Sequence, residues 1–189
     1  MADKTIVRYG GTPGVGVAVK AKDLGDGTFA ETVATATAGY SAALTITRPA
    51  NQTAYTARDV LGGALELTSL GPSAGRILVA GLSLRANIDA IPAGMTTWSL
   101  YLYSVTPPSA LADNAAFDLP DGDRASFLGK IAISALVDEG STLYIEANGI
   151  DKQVKLAGTS LFAYLVTDGG FTPAANSEVY ALTLHTRAV

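Results

Sequence analysis

The sequence predicts an all-β fold: an antiparallel β-sandwich of jelly-roll or Greek-key type, preceded by an extended N-terminal arm. Three observations predict it. From Leu44 onward, apolar residues alternate with a period of two, the spacing that turns one side of an extended chain toward a core. The alternating runs are bounded by clusters of Gly, Pro, Asn and Asp, the residues of turns. The connections mix tight turns with long loops, which a Greek key needs and a plain meander does not. No internal repeat of solenoid or propeller length is present.

Residues 1–43 form the arm. Ile6-Val7-Arg8-Tyr9 and Val15 to Lys20 are strand-like patches, separated by the turn residues Gly10-Gly11-Thr12-Pro13-Gly14. These glycines lack the Gly-Lys-Ser/Thr of a phosphate loop, and no helical pattern follows them. Asp23 to Thr28 has the residue types of a calcium loop without its spacing or closing Glu, so it reads as a hairpin with an Asp26-Gly27 turn. Between Phe29 and Tyr40 the only large aliphatic residue is Val33. Apolar burial at about 25 cal/mol per Å² then hardly offsets about 1–2 kcal/mol of backbone entropy per residue. Order in this segment is expected to need a neighbour, most simply a strand added to another subunit's sheet edge. The arm residues expected to make that contact are Ile6, Val7, Tyr9, Val17, Val19, Phe29 and Val33.

The sandwich is expected over residues 44–189, and its gate is Leu44 to Gly62. Leu44, Ile46 and Arg48 share one side of a strand that Pro49 ends by withdrawing a backbone donor. Asn51 to Thr53 turns the chain, and Tyr55 to Leu61 starts a new run closed by Gly62-Gly63. Leu65 and Leu67 share the face of the next run. Arg76 to Ile88 is the longest, with Leu78, Ala80, Leu82, Leu84, Ala86 and Ile88 on one face and Ile77 and Val79 on the other. In Met95 to Val105, Trp98, Leu100 and Leu102 face the core, leaving Tyr101 and Tyr103 on the sheet surface. Pro107-Pro108-Ser109 is expected to open one helical turn capped by Ser109, followed by a surface loop to Arg124 with Phe117 and Leu119 as plugs. Ile131, Ile133, Ala135 and Val137 alternate in the following strand, and Thr142 to Ile145 makes a short one. Asn148-Gly149 marks a turn before Gln153 to Leu156, and Leu161 to Thr167 and Val179 to Thr186 close the domain. About eight strands follow residue 44.

Composition removes several kinds of function. Hydrophobic residues make up 48% of 189 and charged residues 16%, which is the balance of a folded chain rather than a disordered one. A formal charge of −4 without clustered Lys and Arg argues against nucleic acid as a partner. No run approaches the roughly 18 apolar residues of a membrane helix, and the first residues lack a signal peptide's apolar stretch. Without cysteine there is neither disulfide nor thiolate chemistry, which fits a product folded in a cytoplasm.

No catalytic site is expected. His185 is the single histidine, placed beside Thr183 and Arg187 on a solvent-facing strand, and no Gly-x-Ser-x-Gly elbow is present. One His and no Cys leave too few ligands for zinc. Asp118, Asp121 and Asp123 alternate in an acidic loop that reads as solvated rather than as a cation site. Glu66, Glu146 and Glu178 are strand-borne, but nothing brings two of them together as paired acid and base. No cofactor or metal is expected.

Three stretches carry a resemblance. ITRPANQTAYTARDVLGG, KAKDLGDGTFAETV and LADNAAFDLPDGDRASFLGKIAI are similar to bacteriophage virion proteins of the head decoration (cement) or minor structural type. The resemblance implies a non-enzymatic particle component, assembled in the bacterial host's cytoplasm and located in the virion. It implies the major capsid protein and further copies of the chain as partners, in a homotrimer. A carbohydrate- or receptor-binding sandwich of a fibre or tail, using the loops Thr106 to Arg124 and Asp168 to Asn176, is the alternative.

Overall fold

The computed structural model describes residues 4–9, 16–23, 29–32 and 38–189. The chain divides into two compact units, Met1–Ala36 and Thr37–Val189. In the first, β1 (Lys4–Tyr9), β2 (Gly16–Asp23) and β3 (Phe29–Thr32) form a three-stranded antiparallel sheet in the order β1-β2-β3. Register sets Ile6 opposite Val19 and Arg8 opposite Val17, and pairs Asp23 with Phe29 across the expected hairpin. These short strands find their hydrogen-bond partners in one another.

The second unit holds nine strands. They are β4 (Gly39–Thr47), β5 (Val60–Leu67), β6 (Arg76–Ala86), β7 (Trp98–Tyr103), β8 (Phe127–Ile133), β9 (Val137–Asp138), β10 (Leu143–Lys155), β11 (Leu161–Thr167) and β12 (Val179–Ala188). One sheet has the order β4-β12-β6-β10-β9 and the other β5-β11-β7-β8, with every pairing antiparallel. Setting aside the two-residue β9 and counting the other eight strands from β4, the orders read 1-8-3-6 and 2-7-4-5. That is the jelly-roll, in which successive strands cross between the two sheets except at the central pair β7 and β8, which are neighbours in one sheet.

The unit begins upstream of Leu44, because β4 runs from Gly39 and pairs with β12 along its whole length. Small residues suffice there, since backbone hydrogen bonds rather than bulk hold an edge strand. Inside, Ile46, Leu61, Leu67, Ile77, Leu82, Leu84, Leu100, Leu165 and Leu182 fill the space between the sheets. Trp98 lies edge-on to Phe171 and Tyr180, with ring centroids 5.8 and 6.0 Å away.

Four sequence expectations are corrected by bulges and turns. In β6 the buried residues are Ile77 and Val79, then Leu82, Leu84 and Ala86. Both neighbouring strands slip register between Val79 and Gly81, so the inward face changes parity at Ala80 and no single period describes the strand. Asn148-Gly149 is not a turn but part of an irregularity within the thirteen-residue β10, where Gly149 takes φ +67°. Gly62 and Gly63 lie inside β5 in left-handed conformation and do not end a strand. After β8 the core residue is Leu136, while Val137 is 49% exposed.

Candidate interaction surfaces and polar networks

The long connection from β7 to β8 defines one face of the molecule. Tyr101 and Tyr103, expected on an open sheet surface, are buried beneath it. With Val60, Phe117, Tyr164 and Val166 they make a second hydrophobic cluster on the outer side of the β5-β11-β7-β8 sheet. Phe117 plugs it as expected, its ring centroid 4.1 Å from that of Tyr101. The anchor is Asp123, fully buried. Its carboxylate accepts the Ser109 N–H at 2.9 Å and the Ser109 hydroxyl at 2.5 Å. Tyr164 Oη lies 3.1 Å from Ser109 Oγ and accepts the Leu111 N–H at 2.9 Å. Ser109 therefore caps no helix; the helical turn lies at Asp121–Asp123 instead, because Asp123 draws Ser109 into the anchor. The Asp118/Asp121/Asp123 alternation dissolves in three dimensions, with Asp118 exposed and Asp121 meeting Arg124 at 2.6 Å.

A second network lies where β4 ends. Arg48, 2% exposed, donates from Nε to Tyr55 Oη at 2.6 Å, and Tyr55 donates to Asp113 Oδ1 at 2.7 Å. The same Asp113 oxygen accepts the Gly62 N–H at 2.7 Å. Nearby Glu178, also buried, accepts from Tyr180 Oη at 3.0 Å and from the Ala175 N–H at 3.0 Å. Burial pushes the hydroxyls of Tyr55, Tyr103 and Tyr180 well above the ordinary tyrosine range. Arg48 Nη2 is buried without a partner. These groups join β4, β5, β12 and two loops, and they hold the chain rather than a substrate.

The outer face of the other sheet is open and polar. Cross-strand register places Tyr144, Glu146 and Asn148 of β10 opposite Arg85, Ser83 and Gly81 of β6, with His185 of β12 on the far side of Gly81. Glu146 accepts from Tyr144 at 3.1 Å and from Asn148 at 2.7 Å, and these two bonds, Asn148 first, hold its carboxyl below the usual range. Tyr144 is raised correspondingly by the same carboxylate. His185 is exposed, as its position in an alternating strand implies. Glu66, Glu146 and Glu178 go to three different places: a sheet edge, this face and the interior. Among the described residues, no three His, Cys, Asp or Glu side chains are grouped to hold a metal.

Of the seven arm residues singled out, Ile6, Val7 and Tyr9 lie in β1, Val17 and Val19 in β2 and Phe29 in β3, while Val33 falls outside the described residues. The features the sequence did not disclose are the Asp123 anchor and the groove beside β4. That groove, of about 320 Å³, is lined by Leu44 to Thr47 and by Gly62, Ala64, Leu65 and Glu66.

Fold and surfaces together define a jelly-roll domain whose buried polar groups serve to hold loops. No family model matches the chain, and no curated protein does. Solved structures that resemble it include a chain of Israeli acute paralysis virus, from the full particle heated to 63 degrees. That match is 12% identical, covers 81% of this chain and 74% of that one, and has a TM-score of 0.30. Turnip yellow mosaic virus gives 8% identity, 83% of each chain and a TM-score of 0.28. A Clostridium thermocellum xylanase fragment with a CBM22 module gives 7% identity, 79% of this chain, 26% of that one and a TM-score of 0.26. At such values the likeness supports neither a fold nor a role, and the jelly-roll assignment rests on strand order and register.

Proposed function

We propose that this protein is a non-enzymatic structural component of a virion, decorating and stabilising a bacteriophage capsid. The N-terminal unit contacts the major capsid protein, and the jelly-roll associates with further copies of itself, as a trimer by the sequence resemblance. The observation that supports the reading best is where the buried polar side chains are used. Buried Asp123, Arg48 and Glu178, with half-buried Asp113 beside Arg48 and Tyr55, all bond to tyrosines, serines or backbone, which leaves them as struts for the surfaces above them. The resemblance in three sequence stretches supplies the phage context.

The test is truncation. Because β4 starts at Gly39, the clean boundary lies at Ala36 rather than inside the strand. A chain lacking residues 2–36 should keep its β-sheet circular dichroism and lose co-sedimentation with shells of the major capsid protein. Undiminished binding by that chain would refute the arm mechanism.

A second reading is favoured by the open polar face. Tyr144 offers an aromatic ring beside hydrogen-bonding groups fixed by Glu146 and Asn148, which is what a sugar-binding surface requires. On this reading the protein is a glycan- or receptor-binding module of a fibre or tail. A glycan array separates the two, since specific binding abolished by Tyr144→Ala would displace the decoration reading.

A further inference from the structure

We propose that the free edge of β4 is a pairing surface for a second copy of this chain, joined antiparallel to the second copy's β4 about a two-fold axis. The proposal rests on the self-association in the reading above but replaces its trimer, because a contact of one strand with itself about a two-fold axis closes at two copies. A β-sandwich of two open sheets has four edges, and natural proteins blunt such edges with charge, bulges or brevity. Three of these four are blunted, and so is the length of β10 that β9 leaves uncovered, which carries Glu146, Asp151, Lys152 and Lys155 and is broken between Asn148 and Lys152. β9 has two residues and ends in Asp138 followed by Glu139. β5 carries Glu66 and is kinked by Gly62 and Gly63 at φ +79° and +83°. β8 carries Lys130 and slips register opposite Leu102 and Tyr103, with Gly129 at φ +101°.

β4 has none of these devices. Its nine residues, GYSAALTIT, include no charge and no proline, and its register with β12 is unbroken from Gly39 to Thr47. Among the described strands it pairs on one side only. Which groups are left over follows from one bond at each end. Arg48 N–H donates to Glu178 O at 3.0 Å, and Ala188 N–H to Ala38 O at 3.1 Å. Even-numbered residues therefore turn their backbone groups toward β12. Gly39, Ser41, Ala43, Thr45 and Thr47 turn theirs to the free edge, and all five are exposed.

That outward set is self-complementary. A two-fold axis at Ala43 would set Gly39 opposite Thr47 of the second copy and Ser41 opposite Thr45, small residues throughout, along about 30 Å of strand. For a chain of net charge −4, self-approach is least opposed along a strand without carboxylates. The neighbouring groove leaves room for the incoming strand, and its one ionised side chain, Glu66, sits on β5 rather than on β4.

The test reads backbone amides in the full chain. At high concentration, hydrogen exchange at Ser41, Ala43, Thr45 and Thr47 should be slowed by about tenfold or more and should recover on dilution. Ala42, Leu44 and Ile46 should be protected at every concentration. The double variant Ala43→Lys with Thr45→Lys, altering only exposed positions, should sediment as a smaller species with unchanged circular dichroism. Fast exchange at the odd-numbered amides at all concentrations would overturn the proposal. So would protection that ignores dilution, which means cover within one chain, or protection that needs added capsid protein, which means a foreign partner. If the lysine variant fails to fold, the odd-even pattern in the unaltered chain still decides. Shell binding is measured separately, so failure here leaves the decoration reading standing, and failure there leaves this one.

Discussion

Replacing Asp123 by alanine should detach the β7–β8 connection from the sheet it covers. Two donors would lose their acceptor, the Ser109 N–H at 2.9 Å and the Ser109 hydroxyl at 2.5 Å. Each is a hydrogen bond to a buried carboxylate, worth about 1.5–3 kcal/mol, so the pair predicts a loss of about 3–6 kcal/mol. In a domain of this size that lowers Tm by roughly 10 °C. Asp123→Asn separates charge from shape. Its carbonyl can still accept the Ser109 N–H, and its amide can donate to Ser109 Oγ if the hydroxyl then turns to Tyr164, 3.1 Å away. The expected cost is about 1–2 kcal/mol. Urea titration followed by far-ultraviolet circular dichroism gives both values, and trypsin cleavage after the exposed Arg124 reports loosening of the loop itself. If Asp123→Ala costs less than about 1 kcal/mol, the anchor argument is wrong and the aromatic cluster holds the loop unaided.

Two further predictions concern the sandwich. Gly62→Ala puts a methyl group into Ile46 Cγ2 at a residue with φ +79°, so it should destabilise by about 2–4 kcal/mol, with partial recovery on adding Ile46→Val, measured by urea titration. Alkali should unfold the protein from about pH 10 upward. Tyr55, Tyr103 and Tyr180 have raised pKa values in the fold, so above the ordinary value of 10.0 the unfolded chain sheds protons that the native chain keeps. Stability then falls with rising pH by up to about 1.4 kcal/mol per unit per tyrosine, and a flat profile to pH 11 would contradict the burial of these hydroxyls.

The fold was legible because most of its strands bury one face, β7 and β11 being covered on both. Trp98, Leu100 and Leu102 announced the inner face of β7, and the mixed loop lengths announced a crossed rather than a sequential topology. What the alternation could not disclose is where it breaks. A bulge at Ala80 flips β6 between Val79 and Leu82, and the apolar letters on either side look the same before and after the flip. Asn148-Gly149 has the letters of a hairpin turn, yet the partner strand β6 runs past it, and only long-range pairing distinguishes turn from irregularity. Tyr101 and Tyr103 read as surface because their cover, Phe117 and Leu111, comes from a loop without periodicity. The Asp123 anchor was hidden for a related reason: an aspartate in an acidic loop looks solvated until Ser109, fourteen positions upstream, is known to fold back on it. The edge of β4 was not legible, because the bland letters mark Phe29 to Tyr40 as arm and the alternation starts the sandwich at Leu44, whereas the strand begins at Gly39.

The carpeting of one broad side by the β7–β8 connection gives the domain a front and a back. Behind the carpet, side chains are spent on internal upholstery and have little left to offer a visitor. The opposite side keeps its strands bare, with Arg85, Glu146 and His185 standing on them. Chemical footprinting of such a molecule on any large assembly should therefore be lopsided, with labels lost from one broad side and retained on the other.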